Sequence, residues 1–289
     1  MAKGRELKGR IKSIEGTRKI TRTMEMVATS RLKRAQDRVV AARPYAQALA
    51  GVIADLYSPA LAEHFPLLRQ PEQVRRAAVL LITSNRGLAG AFNANLIREA
   101  RHLLARLQRD GVETELHVVG RKGLGYFRYI GAPVATSRVD IGDRPTSEHA
   151  AELVSSMMAD FVTARLDAVY VVYAKYNSPL STPPTAEQIL PVTPPERTGQ
   201  GPARDYLLFP NAEAILDALL PLYVRNAVYR ALVETAAGEQ GARRTAMKSA
   251  TDNAGEMLNV LRRTYNRARQ AQITQEIAEI VGGAEALKG

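Results

Sequence analysis

Two glycine-rich turns, four histidines and one acid pair are the groups in this sequence whose types and spacing could do chemistry. Gly87-Leu88-Ala89-Gly90, within SNRGLAGAFN, follows an apolar run and precedes a helical pattern. That is where a phosphate-cradling loop stands, with backbone N–H groups and a helix N-terminus to hold an anion. The loop is neither GxGxxG nor GxxxxGK, and Gly120 to Gly125 (GRKGLG) lacks the Lys-Ser/Thr ending of a nucleotide loop, so both read as tight turns. His64, His102, His117 and His149 fall in a loop, a helix, a strand and a helix cap without metal-ligand spacing, and read as structural or surface side chains. Asp252 and Glu256 stand one helical turn apart, which suits acid chemistry or a solvated face; on a coiled coil the solvated face is the stronger reading. With no cysteine, disulfides, thiol catalysis and Cys-ligated metals are excluded. No catalytic, cofactor-binding or metal-ligating residue is therefore assigned.

What remains is charge and its placement. The 289 residues are 46% hydrophobic, enough for a sizeable core, and carry a formal charge of +11, which calls for an acidic partner: nucleic acid, anionic lipid or an acidic protein surface. Residues 1–39 hold twelve Lys/Arg against four Asp/Glu. Tryptophan is absent and only five Phe occur, so the stacking platforms of single-strand nucleic-acid binders are scarce. No run of about 18 apolar residues spans a bilayer, and MAKGRELKGR lacks the apolar stretch of a signal peptide, so a cytosolic setting is expected.

The elements that would position these charges are two helical arms around a middle domain. Leu7, Ile11, Ile14, Arg18, Thr21, Glu25, Ala28, Leu32, Ala35, Val39, Ala42, Ala46, Leu49, Ile53 and Leu56 alternate steps of four and three, the repeat of a coiled-coil seam sustained over about seven heptads. Beside it Ile20, Met24 and Val27 form a second apolar stripe, displaced by roughly 90° around the helix. Pro44 is an irregularity that could kink the helix. From about Asn211 to Leu287 the pattern is again helical: Ala254, Leu258, Leu261, Tyr265, Ala268 and Gln272 form a seam, and Ile273, Ile277, Ile280 and Ala284 continue it shifted by one. A helix of about seventy residues would be on the order of 100 Å long, so much of it must project, and its natural partner is the other long helix, running antiparallel. Between them, Ala77 to Thr83 reads as a buried strand, Ala94 to Arg109 as a helix, Glu113 to Val119 as a strand and Arg121 to Tyr129 as a helix. Pro133 to Ser137 reads as a short strand, Ser147 as the start of another helix and a candidate for its cap, and Asp167 to Tyr176 as a strong strand. The Pro-rich stretch Ser178 to Asp205 reads as loop with one edge strand near Glu187 to Val192. The expected architecture is a long antiparallel coiled coil with a small open α/β, Rossmann-like domain inserted: an N-terminal helix over residues 1–57, the α/β domain over 74–209 and a C-terminal helix over 210–289.

KSIEGTRKITRTMEMVATSRLKRAQ (Lys12 to Gln36), NRGLAGAFN (Asn85 to Asn93), LDALLPLYVRNAVYRAL (Leu216 to Leu232) and the stretch from Ala246 to Leu287 resemble the gamma subunit of F-type ATP synthase, and the likeness covers essentially the whole chain. The resemblance implies a rotor shaft without catalytic residues or cofactor. Its terminal helices would pair inside a ring of three alpha and three beta subunits, with the α/β domain against the epsilon subunit and the c ring. Proton flow would turn the c ring and the shaft, which forces the beta sites through their states. The location implied is the cytoplasmic face of the bacterial plasma membrane, held peripherally through the c ring.

Carried over position by position, the resemblance implies that Met24 with Ile20, Val27 and Lys33 faces an acidic loop of a beta subunit. It implies also that Arg269, Gln270 and Thr274 hydrogen-bond a loop of another, and that Tyr206 lies at the c ring. Asn85 stands where the family usually has Asp, Ala89 where Cys is frequent, and Phe209 where an acid precedes the Pro. Gly238, Gly241 and Arg244 interrupt a stretch usually of Ser, Ala and Met, which leaves room for local bending there. The runner-up reading is a basic coiled-coil nucleic-acid binder, against which the apolar stripe beside the charges counts; an enzyme with a degenerate dinucleotide site is third.

Overall fold

A computed structural model describes residues 2–57, 64–193 and 211–286. The chain divides into two units, one joining Met1–Ala28 with Arg244–Gly289 and the other spanning Thr29–Arg243. Each long helix contributes to both: α1 (Ala2–Leu56) continues through Pro44, and α5 (Ala212–Ala286) continues through Pro221. Among the described residues no helix is long and apolar enough to cross a membrane.

The larger unit is built on a five-stranded sheet in the order β3-β2-β1-β4-β5. β1 (Arg76–Ile82), β2 (Glu113–Val119), β3 (Thr136–Arg138) and β4 (Ala168–Ala174) are parallel, and β5 (Pro184–Leu190) closes one edge antiparallel to β4. β1 is apolar at six consecutive positions because both faces are covered. Ala78, Leu80 and Ile82 pack with α1, α4 (Ser147–Val162) and the start of α5. Ala77, Val79 and Leu81 pack with α2 (Phe92–Arg109) and α3 (Arg121–Tyr129). The stripe Phe92, Leu96, Ile97, Ala100, Leu103 and Leu107 gives α2 its buried side at helical spacing.

α4 starts at Ser147 as the sequence suggests, but its cap lies one residue earlier. Thr146, not Ser147, is the cap: its backbone is extended, and its side chain accepts the His149 N–H while the Thr146 N–H is accepted by His149 Nδ1. Ser147 is already helical, and its hydroxyl turns to Glu148. Of the other histidines, His117 is buried in β2 with Nδ1 2.7 Å from Thr136 Oγ1. Burial lowers its pKa from the ordinary value, against the opposing pull of Glu115 and Asp160. Its folded pKa therefore lies below its unfolded one, so its contribution is full above the unfolded pKa of about 6.5 and is lost as pH falls through the folded value. The unfolding temperature should drop on acidification from pH 7 towards 5.5, and His117→Gln should flatten that part of the profile in a pH series of thermal melts.

Every residue of α5 from Ala231 to Gly241 is buried, so here the helix has no solvent face. Its polar groups are taken up by the end of β4: Thr235 Oγ1 accepts the Ala174 N–H at 3.2 Å and Glu234 accepts the Tyr176 N–H at 2.8 Å. Gly238 and Gly241 stand at close approaches, and the helix is unbroken across them. A Cβ on Gly241 would stand 2.8 Å from the Pro179 carbonyl oxygen, and one on Gly238 3.1 Å from the Phe92 ring. The roughly 1 kcal/mol that each glycine costs a helix relative to Ala is set against a Cβ that would force the Pro179 backbone to shift at Gly241 and the Phe92 ring to give way at Gly238.

Candidate functional site

The carboxyl ends of the parallel strands are where an open α/β sheet binds ligands. Here that edge is bridged by the chain's own groups. Asn85 Oδ1 accepts the Arg121 N–H at 3.0 Å, at the first turn of α3 where a phosphate would sit, and Asn85 Nδ2 donates to the Ile141 carbonyl at 2.8 Å. Ser84 Oγ lies 3.0 Å from Asn93 Oδ1, and the Gly87 carbonyl accepts Arg243 Nη2 at 3.1 Å. Gly120, at φ +98°, leaves no room for a Cβ, which would meet the Thr83 carbonyl oxygen at 2.2 Å. A cavity of about 290 Å³ remains between these turns and α5, with Leu232, Thr235, Ala236 and Glu239 as its lid. These hydrogen bonds tie the two glycine turns to each other and to α5.

The smaller unit is a helix pair. Thr21 and Thr251 bring their hydroxyls to 2.8 Å, and Arg262 Nη2 lies 2.6 Å from Glu15 Oε1. The pairs sum to 272 and 277, so the helices run antiparallel and a residue's opposite number follows by subtraction. Thr21, Ala28, Met247, Thr251, Ala254 and Leu258 are buried along the seam, and Leu7, Ile11, Ile14, Leu261, Tyr265, Ala268 and Gln272 half-buried. By that register α1 runs out opposite residue 275 or so. The shifted seam around and beyond that level is accordingly uncovered among the described residues: Ile273 is 47% exposed, and Ile277 and Ile280 are 56% and 71% exposed.

Outside the seam, Ile20 and Val27 are 61% and 46% exposed and Met24 is half-buried, with Arg18, Lys19 and Arg22 solvated beside them. Arg269, Gln270 and Thr274 are also exposed, and the Thr274 hydroxyl turns back to the Gln270 carbonyl at 3.0 Å. The register puts Arg269 and Gln270 opposite residues 2–8 and Thr274 level with the start of α1, so the three form a second band, separate from Ile20 to Val27. Lys33 belongs to the larger unit, exposed and paired with Asp37 at 2.9 Å. Tyr206 lies outside the described residues. Sequence reasoning missed Met257 and Val260, which are 55% and 61% exposed. Each stands one residue before a seam position, as Ile20, Met24 and Val27 do on α1, and the same rule applied to α5 finds them.

A profile of the ATP synthase family matches residues 3–287. The ATP synthase gamma chain of Gemmatimonas aurantiaca is 64% identical over 290 residues, covering 100% of both chains. That of Leptospira biflexa is 42% identical over 288 residues, covering 99% of this chain and 100% of its own. Among solved structures, a chain of the Euglena gracilis mitochondrial ATP synthase, from a map of its OSCP, F1 and c-ring parts, has the same fold at a TM-score of 0.68 and 19% identity, over 99% of this chain and 95% of that one.

Proposed function

Because this chain belongs to the gamma chains of ATP synthase and is thereby a subunit of the central stalk, we propose that its work is done by the outer surface of the paired termini and not by any cleft. The chain carries no chemistry of its own: the groups at its glycine turns are engaged with one another, and catalysis resides on neighbouring beta subunits. Ile20, Met24, Val27 and Lys33 meet one part of an alpha/beta sleeve, and Arg269, Gln270 and Thr274 another. The α/β domain, with Tyr206 near it in sequence, meets the epsilon subunit and the c ring at the cytoplasmic face of a bacterial membrane. Proton-driven rotation of that ring reaches the catalytic sites through the shaft.

The observation that carries this reading is an exposed apolar stripe beside cations on a helix whose seam is already occupied. A solvated face has no use for Ile20 and Val27, whereas an apolar and acidic sleeve does. The double substitution Ile20→Asp with Val27→Asp tests it. Surface positions like these change stability by about 0.5 kcal/mol or less, so the isolated chain should melt as wild type does. In membrane vesicles holding the assembled complex, ATP-driven proton pumping should fall several-fold. Pumping at the wild-type rate from a fully assembled complex would remove the stripe from the mechanism.

A further inference from the structure

The larger unit also holds a concentration of positive charge that the shaft does not use. A depression of about 200 Å³ is lined by Arg31, Arg34 and Arg38 of α1, Asp143 and Arg144 of the loop before α4, and Gln240 of α5. Positions 31, 34 and 38 share one helix face, so three guanidinium groups point the same way. Asp143 is the one acid in the lining: Oδ2 accepts Arg31 Nη1 at 2.7 Å, Oδ1 accepts Gln240 Nε2 at 3.3 Å, and its carbonyl accepts Arg38 Nη1 at 2.5 Å. Arg34 and Arg144 have no acidic partner among the described residues, so the lining keeps a formal excess of three positive charges.

We propose that this depression binds a phosphate group. Arginine forks fix tetrahedral oxyanions through paired, charge-assisted hydrogen bonds, and here the forks of Arg31 and Arg38 are held in place by Asp143, while Arg34 spends only its Nε, on the Ser30 carbonyl at 3.5 Å, and keeps its two terminal nitrogens for a ligand. Asp143 decides which oxyanion fits. Its side chain is 35% exposed, so a bound anion meets a carboxylate as well as the arginines. Hydrogenphosphate carries a proton that it can give that carboxylate, and a phosphate monoester, with its second pKa about 6, does so in its monoanionic form; sulfate and the carboxylates of an acidic peptide have none to give at neutral pH. The chemistry could come from free orthophosphate or from the phosphates of a nucleotide. The site does not rest on the stalk reading, and neither result below bears on the stripe around Ile20.

Calorimetric titration of the full chain, with orthophosphate, ADP and sulfate in turn at about 0.15 M NaCl, tests the proposal. Saturable binding of orthophosphate or ADP is expected, and the tighter of the two names the source. Sulfate should bind about tenfold more weakly than orthophosphate, for want of the proton that Asp143 accepts. Arg34→Ala with Arg144→Ala should lower affinity by about tenfold or more at an unchanged melting temperature, since neither side chain holds an ion pair. Asp143→Asn should bring phosphate and sulfate together, which loss of structure alone would not do. No saturable binding, equal affinities for phosphate and sulfate, or wild-type affinity in the double variant would each overturn the assignment.

Discussion

Leu258→Asp is expected to unpair the two helices of the smaller unit, while Met257→Asp beside it leaves them paired. Leu258 is 2% exposed and Met257 55% exposed, although both are apolar residues of one helical turn. The antiparallel register places Leu258 opposite the turn from Ile14 to about residue 19, a level where the seam has little else to offer: Arg18 is exposed and Ile14 only half-buried. Loss of the leucine contacts costs about 2–5 kcal/mol, and an aspartate there must either keep an unpaired charge out of water or take up a proton. Neither helix has another partner in this unit to hold it. In native-state hydrogen exchange, amides of residues 7–28 and 244–265 should lose protection together, while the sheet strands keep theirs. A variant whose terminal helices stay protected would show that the pairing does not depend on its seam. Met257→Asp controls for charge alone and should change little.

The sheet was legible because its signal is local. A strand apolar at every position reads as covered on both faces, and β1 and β4 are so covered by α1, α4 and α5 on one side and α2 and α3 on the other. The seam of α1 was legible for the same reason: a 3.5-residue period needs no knowledge of the partner. Ala231 to Gly241 was not. Glu234, Thr235 and Gln240 are polar residues buried because their partners, the Ala174 and Tyr176 amides at the end of β4 and the side chain of Asp143, come from elsewhere in the fold. Gly241 misled in the same way, since the carbonyl it makes room for is more than sixty positions upstream. Of the candidate surface, the exposure of Ile20 and Val27 followed from their offset from the seam. That Arg269 to Thr274 stand at a different level from them did not, because level is set by register, and register is fixed by pairs such as Thr21 with Thr251 that no single helix encodes.

The same stretch of α5 yields the second large effect, at Arg243. Arg243 Nη2 lies 2.5 Å from Glu239 Oε1 one turn back and also reaches the Gly87 carbonyl at 3.1 Å, so it ties the helix to the turn after β1. Both side chains are only 10% exposed, so solvent does little to screen the pair. Burial pushes the Glu239 carboxyl above its ordinary pKa, while Arg243 pulls the other way. Arg243→Met removes that pull and leaves the carboxylate buried without its cation, a loss of about 3–5 kcal/mol. The sign of the pH dependence follows. With the folded pKa of Glu239 raised further, the folded state of the variant binds the proton more tightly than the unfolded one, so its deficit is largest at neutral and alkaline pH and shrinks as pH falls through the raised pKa. Adding Glu239→Leu removes the stranded charge and should restore much of the loss, leaving mainly the unfilled Gly87 carbonyl. Denaturant melts of the two single variants and the double at pH 8 and pH 5 decide the matter: a double variant no more stable than Arg243→Met would place the cost in the lost tie to Gly87 and not in the buried carboxylate.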